Sequence, residues 1–238
     1  MTEIDYLALH RRQVIACLSV GAACLILAHL AMQWLMYGEG HDHVFGLTRL
    51  FDLDEEANLP TWFSSLLLLV AAVLLARIAA DASRGNGAAH YWWVLAAGFA
   101  LMSIDEVAMV HELFNDPQRI SSASRSSPLL TYTWVVPYAL LVAGLGIYFV
   151  RFLALLPLAT RIRFIVAGGV YVGAALGLEF IEGFVVRLQG HDSIEDSLLT
   201  TMQELLEISG VILFIDALLR HLDSRGGPSP APVRGVAG

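Results

Sequence analysis

The chain has 238 residues, 57% of them hydrophobic and 15% charged, with a mean hydropathy of +0.65 and a formal net charge of −8. All 14 basic residues are Arg, and none form a basic patch interleaved with aromatics, which argues against a nucleic-acid partner. Cys17 and Cys24, both inside the first apolar run, offer neither a disulfide framework nor a metal-ligand spacing and are expected to be small packing residues.

The start, "MTEIDYLALHRRQ", is mixed in charge, and the apolar run that follows is too long for the core of a cleaved signal peptide. The runs Val14–Tyr37, Ala57–Ala76, Gly85–Ile104 and Ser126–Val150 each reach about 20 residues or more, the length that crosses a bilayer as a helix. Two more stretches have suitable length but carry acids. The predicted fold is all-α: a polytopic integral membrane protein with six transmembrane helices in one bundle, at about 13–36, 61–80, 92–113, 131–155, 163–187 and 197–220. Ten arginines fall on one side of these spans; Arg49, Arg119, Arg125 and Arg187 fall on the other. That asymmetry places the N and C termini in the cytoplasm. The all-Arg usage suits a GC-rich bacterial genome, so the expected location is the bacterial inner membrane.

The first loop, about 38–60, is acidic, and an interfacial helix is expected around Val44–Phe51. Asn58 and Pro60 read as helix-start signals for the second span. His41 and His43, and the run Asp52, Asp54, Glu55 and Glu56, read as solvated loop; the run lacks the Gly and the terminal Glu of an EF-hand. Trp62, Trp92, Trp93 and Trp134 read as interface anchors. The third loop, about 114–130, reads as coil. In the fifth span Gly169, Gly173 and Gly177 form a ladder that would let helix backbones approach closely. Residues 1–222 make one domain, and the Pro/Gly/Ser-rich residues 223–238 are expected to be a disordered cytoplasmic tail.

The predicted spans one, two and four are free of charge, whereas the other three are not. Counted at about 1.5 Å per residue from Trp93, Arg163 and Arg220, Asp105 lies about 18 Å up and Glu207 about 20 Å. Glu179 and Glu204 lie at about 24 Å, and His111, Glu182 and Glu112 at about 27–29 Å. His29 of the first span falls at about 25 Å on the same scale. The hydrocarbon core is about 30 Å thick, so acids from three helices share its outer third. Residues three or seven apart share a helix face, which pairs Glu179 with Glu182, Glu204 with Glu207, and Asp105 with Glu112; Glu106 and His111 point about 100° or more away.

An acid near the bilayer centre costs about 2.5–3.5 kcal/mol, so the layer requires protons or a cation. Carboxylates and imidazole from facing helices are ligands of di-iron and di-manganese bundles. The candidate metal ligands are Asp105, His111, Glu112, Glu179, Glu182, Glu204, Glu207 and His29. The carboxylate-rich set favours iron or manganese over zinc as the divalent metal. The expected function is a metal-dependent membrane enzyme acting on a lipid or other apolar substrate. Three readings compete with it. The first is a divalent-cation or proton permease: the E-x-x-E pairs are similar to the R-E-x-x-E motifs of iron permeases, although Leu178 and Gln203 stand where those carry Arg. The second is a non-catalytic subunit packed against partner membrane chains. The third is a wet interfacial rim that only ends the helices.

Overall fold

The computed structural model describes residues 3–40, 45–84, 89–110, 134–189 and 194–226, and every regular element among them is helical. Helix α1 (Glu3–Gln33) runs into a π-helical turn, Trp34–Gly38. The short α2 (Leu47–Phe51) lies where an interfacial helix is expected. Then come α3 (Leu59–Ser83), α4 (Ala89–Ala108) and α5 (Val135–Leu155). Helix α6 (Leu158–Val172) continues through a π-helical segment, Gly173–Leu178, into α7 (Glu179–Gln189). The last helix, α8, is Ile194–Gly226.

Among the described residues, four helical stretches are long and apolar enough to cross a membrane: Leu9–Gly38, Leu59–Ser83, Val135–Leu155 and Leu158–Val186. They present large bare apolar side chains, such as Leu27, Val73, Leu140 and Ile147, that water would not tolerate in such number. Helices α4 and α8 hold most of the remaining intrahelical acids, and those acids dilute their apolar character.

Helix α8 is the central column. Helices α1, α3 and α6 all pack on it, and its Ile208, Val211, Ile215 and Leu218 are buried in the core. Paired contacts show α1 antiparallel to α8: Arg11 meets Asp223 at 2.7 Å and Asp216 at 3.4 Å, while His29 meets Thr201. The α6–α7 rod is antiparallel to it too, since Phe164 meets Phe214 and Glu179 meets Gln203. Helices α3 and α4 form their own pair, joined at Ser65 and Ser103, whose hydroxyls lie 2.9 Å apart and each donate to the other's carbonyl. Alanines at 71, 72, 79 and 82 line the buried face of α3, and small residues of this kind let membrane helices approach closely.

The start of α3 follows from its sequence. Asn58 takes an extended conformation as N-cap, its Oδ1 accepts from Thr61 N–H, and Pro60 occupies the first turn, where no N–H is needed.

Several expectations are corrected. Trp92 is no interface anchor: it is buried, edge-on to Phe152 at 4.9 Å and stacked on His221. Trp62 and Trp93 are exposed, as anchors should be. Cys17 and Cys24 face outward instead of packing. Helix α8 runs to Gly226, and Arg11 holds Asp223 in its last turns. The third loop and residues 227–238 lie outside the described residues.

The glycine ladder is the most informative correction. A Cβ added at Gly169, Gly173 or Gly177 would meet nothing within 4 Å. The tight contact is on the opposite helix: a Cβ on Gly210 would sit 2.9 Å from both N and Cβ of Tyr171. Those are atoms of the helix framework, so the helices themselves would have to part. Gly210→Val should therefore lower the thermal midpoint of the detergent-solubilised protein, with an overpacking cost of about 1–3 kcal/mol. Gly173→Ala should leave that midpoint unchanged; circular dichroism on heating measures both.

Candidate functional site

The site lies between α3, α4, α6–α7 and α8, and its shape comes from the close approach just described. With its backbone held against Gly210, Tyr171 lines a narrow cavity together with Ser64, Glu106, Glu204 and Glu207. Below them the walls are apolar: Leu67, Leu68, Ile208 and Val211.

The π-helical segment explains how one rod supplies both Tyr171 and Glu179. Eight positions separate them, which in an unbroken α-helix leaves them about 80° apart around the axis. A π-turn takes up one extra residue, so the pair behaves as if seven apart and both side chains face α8.

Glu179 and Glu182 are both buried, at 9% and 7% exposure. Glu179 Oε2 accepts from the Gln203 amide at 3.0 Å, and the same amide reaches Glu207 one turn further along α8. The remaining Gln203 atom, carbonyl Oε1, is fully buried and has no hydrogen-bond partner. Such an orphan costs about 1–3 kcal/mol.

Asp105 sits beside the cavity: Tyr138 O–H, from α5, donates to its Oδ2 at 3.4 Å, a long contact. Glu106 lines the cavity instead, contrary to the angular reading that sets it aside. The signal is present in the sequence. Ser103 faces Ser65 of α3, and Glu106 is three residues on and so shares that face.

His29 matches the depth of the acids but is fully engaged otherwise. It is 1% exposed. Its Nδ1 accepts from Leu53 N–H at 3.1 Å, which leaves the proton on Nε2. Thr201 Oγ1, 3.0 Å away, donates its own hydrogen to Ser197 O and so accepts from Nε2. Both ring nitrogens are occupied, so in this arrangement His29 offers a metal no lone pair. It is a strut joining α1, the first loop and α8.

That loop is not freely solvated. Leu53 is buried, Gln33 reaches Asp52, and the Asn58 amide donates to the carbonyls of Arg49, Asp52 and Glu55. Folded this way, the loop brings Glu56 within electrostatic reach of Glu106, and Asp54 within reach of Glu204. Sequence reasoning alone misses Gln203, Tyr171 and the reach of these two loop acids.

Among the described residues, no three His, Cys, Asp or Glu side chains converge in a geometry ready to grip an ion. His111 and Glu112, two of the candidate ligands, lie outside the described residues or at their edge, as do His41 and His43. The opposite half of the bundle offers no comparable polar layer among them. Asp216 of α8, in that half, is tied to Arg220 at 2.6 Å and to Arg11. Phe99 lies flat on Phe214 at 4.8 Å, closing the interior beneath the cavity.

No curated protein and no solved structure matches the chain. One family model does, over residues 17–222, which takes in His29, the first loop, both E-x-x-E pairs and the Gly210 contact; the chain belongs to this family, described as Domain of unknown function (DUF8692).

Proposed function

We propose that this is a six-span protein of a bacterial cytoplasmic membrane with both termini inside, and that its outer acidic layer holds a divalent cation. It is read as a metal-dependent enzyme acting on a lipid or other apolar substrate. The observation that carries this is the Gln203 carbonyl oxygen, buried with no hydrogen-bond partner on an amide whose nitrogen bonds Glu179 and Glu207. A cation satisfies that oxygen and offsets the carboxylates in one step, which no proton on a single carboxylate does for all of them. Glu106, Glu204 and Glu207 line the cavity and are its nearest donors, with Glu179 and Asp105 beside them. The carboxylate-rich set favours iron or manganese over zinc. A divalent ion there would polarise a carbonyl or lower the pKa of a water molecule. The chain's own part is to hold the acids at one level, keep water out from below and leave the outer leaflet side open to an apolar substrate.

A permease needs a polar route through the cytoplasmic half. The Phe99–Phe214 stack, the buried Trp92 and the ion-paired Asp216 weigh against one. The protein in detergent should therefore carry a bound divalent metal by elemental analysis. Glu204→Gln with Glu207→Gln should lose at least nine-tenths of it, and Gln203→Leu should weaken it several-fold. Metal-free wild-type protein defeats the proposal, and divalent-cation flux in liposomes would shift it to the permease.

Orientation has its own test. With Cys17 and Cys24 replaced by Ser, a membrane-impermeant maleimide should label Glu55→Cys in intact spheroplasts. Arg225→Cys should react only after permeabilisation. Labelling of both from one side would rule out this topology.

A further inference from the structure

Helix α5 is fastened at its two ends and stands off the bundle between them. At the inner end Phe152 is buried edge-on to Trp92, and Tyr91 of α4 lies 5.1, 6.0 and 5.2 Å from the rings of Tyr148, Phe149 and Phe152. At the outer end Tyr138 O–H donates to Asp105 of α4. Between these fastenings the stripe that shares a face with Tyr138 and Phe149 is Val142 and Leu145. Neither joins the buried core, and among the described residues nor does any other side chain from Ala139 to Ile147. Leu145 is left 38% exposed on the one face of α5 that packing would bury. The backbone of α5 packs closely on no other described helix. On α4 the matching stripe is Tyr91, Gly98 and Asp105, seven apart. A Cβ on Gly98 would meet nothing within 4 Å, and nor would one on Gly146 of α5. An open slot thus runs between the two helices, closed at both ends.

We propose, on the reading of an apolar substrate above, that this slot holds one long acyl chain of a membrane lipid, its head at the carboxylates and its methyl end on the aromatic floor. Size selects the occupant. Tied together by side chains at both ends, α4 and α5 cannot part far enough for another helix, which is about 10–12 Å across with its side chains. A polymethylene chain fits. From Tyr91 to Asp105 the slot is about 21 Å long at 1.5 Å per residue, and the tails of one leaflet occupy about 15 Å, half the hydrocarbon core. Chemistry agrees with size. Neither wall carries a charge between the fastenings, and the outer end is Asp105, within electrostatic reach of Tyr171 in the cavity. The cavity itself is narrow, so the apolar part of a substrate lies outside it. A tail lodged in the slot brings the carbonyl at its head level with the acids.

The test reconstitutes the full chain in phosphatidylglycerol bilayers containing a small fraction of phosphatidylglycerol with a diazirine in one tail. The sample is irradiated and the label mapped by peptide mass spectrometry. Label should concentrate several-fold on residues 94–101 of α4 and 142–146 of α5, relative to the exposed Val20 and Leu27 of α1. Gly98→Trp should remove that excess and Gly146→Leu should reduce it, while Leu140→Trp, on the far face of α5, leaves it in place; circular dichroism on heating shows which variants are folded. Equal label on α1 and the slot, or an excess that persists in folded Gly98→Trp and Gly146→Leu, means annular lipid only and overturns the proposal. The slot and the metal reading fail separately. Excess label on a wild-type protein that binds no metal keeps the slot and removes the metal-dependent enzyme. Bound metal with equal label keeps the cation site and removes the slot.

Discussion

Negative charge must be compensated wherever water is scarce, and this bundle is arranged around that constraint. Leaving one charged acid near the middle of a bilayer costs about 2.5–3.5 kcal/mol, and carboxylates from α4, α7 and α8 add mutual repulsion. Part of the answer is local. Tyr138 donates to Asp105, and Gln203 donates to Glu179. Yet Gln203 brings an acceptor for every donor, and its carbonyl oxygen is left buried without a hydrogen-bond partner. Neutral partners of this kind redistribute the deficit without removing it. Arg11 of α1 and Arg220 of α8, which could supply positive charge, are at the other end of the bundle with Asp216 and Asp223.

The same helix that carries this problem also sets the geometry of its solution. In lipid there is little hydrophobic gain from bringing two helices together, so close contact depends on small residues and on van der Waals fit. Gly210 supplies the position on α8 where Tyr171 of α6 can lie almost against the backbone. From there the Tyr171 side chain reaches the cavity between Glu106, Glu204 and Glu207. Stability and site are thus joined at one contact: widening it by a methyl group moves the phenol relative to the acids as well as loosening the pair.

The helices are legible in the sequence because apolar runs long enough to cross a bilayer have few other uses; the N-cap at Asn58 and the short α2 are legible from turn and capping chemistry. The glycine ladder misleads because a small-residue spacing shows where backbones could approach and says nothing of which helix the partner glycine occupies. Counting angles from Asp105 sets Glu106 aside, when the better reference is Ser103, whose partner on α3 fixes which face looks inward. The facing of Glu179 depends on a π-turn that no simple periodicity announces. Gln203 escapes any search confined to ionisable residues. In a low-dielectric site an amide matters as much, since its unpaired end shows where a donor or a cation is wanting.

His29 shows how the outer loop and the bundle come to act together. A ring nitrogen can ligate a metal or hold a hydrogen bond, and here both nitrogens do the second. The neutral tautomer that results suits a position among acids only if the ring is locked, and it is locked by groups on two separate elements, the Leu53 amide and the Thr201 hydroxyl. Thr201 lies two residues from Gln203 and three from Glu204 on α8. A shift of α8 that repositions those side chains must therefore pull on His29, and through it on the loop that carries Asp54 and Glu56. The converse also holds: a displacement of the loop at Leu53 pushes on α8 through the same ring. The strut makes the loop and α8 one mechanical unit, so a movement of either is felt by both.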